Sequence, residues 1–241
     1  MGKIIKNIAK GLIKLVGHSF ELILFLAIVL IFLIRTLWFQ NVIADYVASY
    51  YSKEFGTEVT VDKVKINGFD YSEVIGLQIK DLGGDTLIYS PKFSGSLAML
   101  SLNSKFAILK AINSENTRVK LQKYEGDSTT NMQFLLDYFA SDDTTASNFK
   151  IKINEINLLN IHFSFDNWNI EPIPYGMDYN HMDIRHLYGK VKSLRNRNGV
   201  TTFNMEQIAL VEKSGFQLDG MECYFLASDK KIKFENLKMT S

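Results

Sequence analysis

Residues 158–166 read Leu-Leu-Asn-Ile-His-Phe-Ser-Phe-Asp. Ile161, Phe163 and Phe165 fall on one side of an extended chain, and His162, Ser164 and Asp166 on the other. That period of two is the signature of a half-buried β-strand. The preceding stretch, Phe149 to Ile156, repeats the pattern with Ile151 and Ile153. Further along, Phe203, Met205, Phe225, Ile232 and Phe234 alternate with polar residues in the same way. Strands are expected at Met182–Leu194, Val200–Leu210, Phe216–Asp219, Met221–Ala227 and Lys231–Leu237. An irregular loop, Asn167–Asn180, holds two of the three prolines, Pro172 and Pro174.

Upstream, Thr57–Ile66 alternates in two opposite phases, which places a bulge near Asp62. Val74–Lys80, a turn at Gly83-Gly84-Asp85, Thr86–Tyr89, Lys92–Leu97, Lys105–Ile112 and Thr117–Tyr124 complete the strand candidates. Asn131–Ala140 breaks the rhythm as a short helix that Thr130 or Asn131 can cap, and Ser141–Asn148 reads as a polar loop. No helical pattern is long enough for repeated βαβ units. The expected architecture is therefore mainly antiparallel β with a few short helices.

The chain opens differently. Lys3, Lys6, Lys10 and Lys14 lie within an arc of roughly 80° on a helix, with Ile4, Ile5, Ile8, Leu12, Leu15 and Val16 opposite. Residues 1–18 thus read as an amphipathic helix lying in a membrane surface. Leu22–Ile34 is an unbroken apolar run, short of the ~20 residues a span needs. The longer stretch 19–39 reaches that length by including Glu21 and Arg35 near its ends, where both reach headgroups. A cleaved signal peptide is the rival reading, but the basic region is long and itself amphipathic, so a retained single-pass anchor is expected. After the run, Arg35 is the one cation before Lys53. The positive-inside rule then puts the N-terminus in the cytoplasm and the bulk across the membrane. Residues 40–56 carry an apolar stripe of Val42, Ile43, Tyr46, Val47, Tyr50 and Tyr51, and Gly56 stops that helix.

Composition excludes little else. A net charge of +1 argues against a nucleic-acid partner. One cysteine, Cys223, gives no disulfide framework and reads as a packed thiol. His181, Asp183 and His186 lie close in sequence, but on a strand His186 faces away from the other two, so no zinc site is expected. Gly83-Gly84-Asp85 is not followed by a helix and is no phosphate loop. Nothing selects a nucleophile, an acid–base pair, a metal or a cofactor, and we expect no enzyme. What stands out is one-faced apolar strand. It buries against a second sheet in a closed sandwich, or lines a trough in a single curled sheet. Alternation alone does not separate the two.

The order of motifs adds a further expectation. An anchor ending in Arg35-Thr36-Leu37-Trp38-Phe39-Gln40 is followed by a helix, then Gly56-Thr57-Glu58-Val59-Thr60-Val61, Ile75-Gly76-Leu77-Gln78-Ile79-Lys80-Asp81 and Gly84-Asp85-Thr86-Leu87. Asn154–Asp166 and Glu212-Lys213-Ser214-Gly215-Phe216 fit the same setting. This order resembles the N-terminal region of TamB-like proteins, the inner-membrane component of the translocation and assembly module, within the AsmA-like group. The resemblance implies a bacterial inner-membrane anchor and a periplasmic β-groove over residues 57–241 that carries phospholipid toward the outer membrane. The residues that alternation puts on the apolar side, Ile151, Ile153, Ile161, Phe163, Phe165, Phe203, Met205, Phe225, Ile232 and Phe234, are then the groove candidates, and the resemblance implies membrane lipids as partners. A link to an outer-membrane β-barrel assembly partner (TamA/BamA-like) would run through a longer C-terminal part. Family members are far longer, so this chain is expected to be the start of a longer groove. About ten to twelve strands at ~4.8 Å give only ~50–60 Å. The alternative function is a scaffold subunit of an envelope assembly or secretion complex, built as a closed sandwich.

Overall fold

The computed structural model describes residues 2–67, 70–101, 106–140, 150–197, 200–228 and 231–240, with side chains for 17–67, 70–99, 108–138, 152–195, 200–228 and 231–240. It begins with one helix, α1 (Gly2–Ile34). Residues 2–34 thus form one continuous helix, and the boundary expected at residue 39 falls instead at Ile34. The chain runs helically through Gly17, and residues Gly17–Ile34 are long and apolar enough to cross a membrane. The break comes at Arg35–Thr36. Thr36 leaves helical geometry (φ −71°, ψ 142°). Its hydroxyl donates to Leu33 O at 2.7 Å and accepts from Phe39 N at 3.3 Å. One side chain thus closes the first helix and caps the next, α2 (Leu37–Phe55). Trp38 and Phe39 consequently belong to α2 rather than to the apolar helix. Gly56, at φ 67°, ends α2 in the left-handed conformation that glycine adopts without strain.

Thereafter the described residues are strands, turns and one short helix. The strands are β1 (Val59–Thr60), β2 (Lys63–Asn67), β3 (Tyr71–Lys80), β4 (Thr86–Ser101), β5 (Phe106–Glu115), β6 (Arg118–Lys123), β7 (Lys150–Ile153), β8 (Glu155–Asn167), β9 (His181–Arg197), β10 (Val200–Glu212), β11 (Gln217–Leu218), β12 (Gly220–Ser228) and β13 (Lys231–Thr240). The helix α3 (Gln133–Ala140) lies between β6 and β7. The expected loop Ser141–Asn148 lies outside the described residues. All thirteen strands join one curled sheet, ordered β1-β3-β4-β5-β8-β9-β10-β12-β13, with β2, β6, β7 and β11 pairing off that path. Nine strands on the path stack to about 40 Å, shorter than the sequence estimate. Several short strands are segments of one longer strand interrupted by a break in the ladder.

The sheet is not wholly antiparallel. β5 runs parallel to β7 and β8, and β6 runs parallel to β8. One offset holds throughout, from Phe106 against Lys150 to Lys123 against Asn167. The cause is the long connection through α3, which returns the chain to the starting end of the strand it left. A parallel neighbour needs a crossover of that kind, whereas a hairpin cannot supply one. Asparagine ladders fix the register. Asn157 Nδ2 donates to Asn113 Oδ1 at 2.9 Å, and Asn160 Nδ2 donates to Asn116 Oδ1 at 2.7 Å. Equivalent positions of two parallel strands thus hold each other, as stacked amides do in in-register sheets.

Local breaks have local causes. Near Asp62, where a bulge is expected from the sequence, the ladder breaks between β1 and β2 without an inserted residue: Thr60 stands opposite Gln78 and Lys63 opposite Ile75, with Asp62 N donating to Ile75 O. Opposite it, Gly76 takes φ 64°, and a Cβ there would sit 1.8 Å from Asp62 Oδ2. Thr86–Tyr89 and Lys92–Leu97 form one continuous strand through Pro91. Proline is tolerated there because its missing N–H falls where both neighbours are interrupted. β3 skips from Ile75 to Leu77, and β5 gives way to β6 between Glu115 and Arg118.

The helices cover one face of the first strands. Ala44 packs with Val61 and Val64, and Phe55 with Val59, Leu87 and Leu135 of α3. Asp81 ties the turn between β3 and β4 to α3's approach. Its carboxylate, 1% exposed, accepts from Gly83 N, Asp85 N, Asn131 Nδ2 and the Tyr124 hydroxyl at 2.6–3.0 Å. Burial by itself would raise its pKa. The bonds from Tyr124, Asn131 and the two backbone amides outweigh burial and hold it below the ordinary value.

Two outcomes follow. Gly76→Ala lowers stability by more than the about 1–2 kcal/mol of a left-handed L-residue, because the Asp62 side chain must also move aside, read by denaturant unfolding in mild detergent. Because Asp81's folded pKa is depressed, its contribution is complete above the unfolded value and is lost as pH falls through the folded one. Asp81→Asn therefore costs about 2 kcal/mol at neutral pH and flattens the acid limb of a melting-temperature profile below about pH 4.

Candidate functional site

The apolar residues singled out from the sequence form registered rows across the sheet. Val59, Ile79, Ile88, Val119, Phe163 and Ile184 stand opposite one another on successive strands. Beside them run Leu121, Phe165 and Met182. A third row is Ile112, Ile156, Val191, Met205 and Cys223. A fourth is Phe203, Phe225 and Phe234, whose ring centroids are spaced 4.5 and 5.2 Å. Ile232 stands opposite Ala227 next to it. Ile153 pairs with Leu109, which pairs with Leu97. Ile151 and Lys3, Lys6, Lys10 and Lys14 lie in β7 and α1, and their side chains fall outside the described ones.

Cover over this face is uneven and is lost at β13, whereas Cys223 on β12 is still buried. Near the start, Ile79, Ile88 and Leu121 join the cluster beneath α2 and α3. In the middle, Ile161 and Ile112 are buried, while Phe163, Phe165, Phe203, Met205 and Phe225 are half-buried. On β13, Phe234 is 51% and Ile232 67% exposed, and Leu237 and Met239 are exposed too. The described residues supply no second sheet, since every strand belongs to the one.

The opposite face is polar. Lys192 bridges Glu206 at 2.6 Å and Glu155 at 3.9 Å, and Lys92 meets Glu115 at 2.9 Å. Asn113 Nδ2 donates to Ser94 Oγ at 3.2 Å. A hydrogen bond from the Lys92 ammonium to Glu115 raises the lysine's pKa. Such rim pairs are worth little in stability, but they keep this face in water while the other is apolar.

Other candidates have settled partners. Cys223 is 5% exposed, and burial pushes its thiol pKa up, which suppresses the thiolate a nucleophile needs. His181 Nε2 donates to Ile170 O at 2.7 Å, Asp183 accepts from Arg185 and His162, and His186 bonds Asn160. The three diverge, and among the described residues no group of three His, Cys, Asp or Glu could hold a metal. Glu212, in the Glu-Lys-Ser-Gly-Phe stretch, is a turn-former. It is 1% exposed and accepts from Ser214 N at 2.7 Å and Asp183 N at 3.2 Å. Burial would raise its pKa, and these bonds bring it below the ordinary value.

The sequence reading missed Ile112, Ile156, Val191 and Val119. A signal for them exists. Ile112-Asn113-Ser114-Glu115-Asn116 and Ile156-Asn157-Leu158-Leu159-Asn160 share an Ile-Asn-x-x-Asn pattern, and these are the segments that pair in parallel.

A double-mutant cycle at Phe203 and Phe225, each changed to Ala, yields a coupling of about 1 kcal/mol beyond area burial, read from chemical unfolding. No family model, curated protein or solved structure matches the chain.

Proposed function

We propose that the chain is held at a bacterial inner membrane by its first helix and guides lipid acyl chains along the apolar face of its sheet, displayed in the periplasm. The observation that carries this reading is the row Phe203, Phe225 and Phe234 with Ile232 beside it. It is apolar, continuous with the rows leading back to α2, and open at β13. Apolar surface of that extent serves a ligand or a partner. An acyl chain gains about 0.8 kcal/mol for each methylene withdrawn from water, so a smooth apolar track moves lipid without any reacting residue. Headgroups remain at the polar margins. The helix Gly17–Ile34 supports the anchor, and the lysines that precede it favour a cytoplasmic N-terminus. The motif order that resembles TamB-like proteins agrees with phospholipid transport toward the outer membrane, with an outer-membrane barrel as eventual partner.

The test is site-specific photocrosslinking. A photoreactive residue at Phe203 or Ile232 captures phospholipid in membranes, whereas one at Lys190 on the polar face does not. Phe234→Asp, at an exposed position that tolerates the change in folding, reduces capture at Phe203 several-fold. Absence of lipid from both apolar positions, with a protein crosslinked instead, replaces this reading with the scaffold subunit.

A further inference from the structure

On the sheet's polar face, behind Phe163, three residues on successive strands take left-handed backbone: Asn116 (φ 52°), Asn160 (φ 57°) and His186 (φ 51°). With Arg118, His162 and Arg185 they line one open concavity of about 250 Å³. Arg118 and His162 stand opposite each other on β6 and β8. They alternate along those strands with Val119 and Phe163, which puts the concavity on the face away from the apolar rows.

Hydrogen-bond inventory decides what this concavity takes. Asn160 Nδ2 donates to Asn116 Oδ1, which fixes Asn160 Oδ1 as the acceptor for His186 Nδ1 at 2.9 Å. Asp183, the carboxylate beside it, has both oxygens engaged. Oδ1 meets His162 Nε2 at 2.9 Å and Arg185 Nε at 3.0 Å, and Oδ2 meets Arg185 Nη2 at 3.0 Å. The hydrogen bond to Arg185 leads in holding Asp183's pKa down, so it stays ionised and committed. Each side-chain amide and carboxylate oxygen here thus already holds at least one donor. Several donors are left over: both amide hydrogens of Asn116, the second amide hydrogen of Asn160, Nη1 of Arg185, and the whole guanidinium of Arg118. Arg118 makes no hydrogen bond or ion pair among the described residues.

We propose that this concavity binds a phosphate group. Donors converge on it from three strands, two of them guanidinium planes, and such forks suit a tetrahedral oxyanion better than a planar carboxylate that one arginine can satisfy. The phosphate is either free or carried by a lipid headgroup, and the shared chemistry is the phosphate oxygens. The site is independent of the apolar face. It stands or falls on Arg118, Asn116 and Arg185, and none of these belongs to the apolar rows.

The experiment is titration of the full chain in a zwitterion-free, non-phosphate detergent, followed by arginine and asparagine side-chain resonances. Three probes are used: inorganic phosphate, glycerol phosphate and acetate. Saturable shifts at Asn116 and Arg118 with either phosphate, and none with acetate, support the site. Tighter binding of glycerol phosphate assigns it to headgroups, and equal or weaker binding to free phosphate. Arg118→Gln weakens binding about tenfold, the loss of one charge-assisted donor, and Lys120→Gln does not. Equal response to acetate, no saturable shift with phosphate, or an Arg118→Gln variant that is folded by its spectrum yet binds unchanged overturns the proposal. Phosphate capture by Phe234→Asp at wild-type strength separates this site from the apolar track.

Discussion

A single sheet has two faces and can hide only what its own chain folds over it. Here the cover consists of α2 and α3, which lie over the first strands and bury Val59, Leu87 and their neighbours. Apolar alternation continues well past that cover. The consequence is uneven exposure, from buried Ile112 and Ile161 through half-buried Phe203 and Phe225 to open Ile232 and Phe234. A closed core would bury each row about equally. Uneven cover instead sets the hydrophobic effect to hold the start of the sheet firmly and leave its far side available.

The sheet curls because its strands are interrupted in concert. Left-handed residues recur at Gly76, Asn116, Asn160, His186, Gln207 and Asn236. Register shifts accompany Asn160, His186, Gln207 and Asn236, because each inserts a residue the partner lacks. Several of these are asparagine, the side chain that tolerates this backbone best after glycine. The polar face gains from the same feature, since Asn116, Asn160 and His186 bring their side chains together there. Twist and polar ladder thus have one origin.

Much of the strand pattern was legible in the residues. Alternation at Ile161, Phe163 and Phe165 marked β8, and the phase flip at Asp62 marked the break between β1 and β2. Gly56 marked the end of α2. What the residues concealed is non-local. Alternation carries no direction, so the parallel pairing of β5 and β6 with β7 and β8 could not be read from it. The repeated Ile-Asn-x-x-Asn pattern was its one trace. Pro91 looked like a strand end because its tolerance depends on gaps in two neighbours. Thr36, not the limit of the apolar run, set the helix break, because capping is decided by one hydroxyl rather than by hydropathy. The apolar candidates were identified by alternation, but their uneven exposure depends on where two helices happen to lie.

The parallel seam also divides the chain into two blocks. On either side of it, most paired strands are neighbours in sequence. At the seam, Phe106–Lys123 meets Lys150–Asn167 only after the link through α3 has closed. Closing that longer loop costs entropy before any pairing repays it. Pairing across the seam is therefore the contact most costly in loop entropy, and the asparagine ladders select its register. During synthesis, the block nearer α1 emerges before the second block exists to join it.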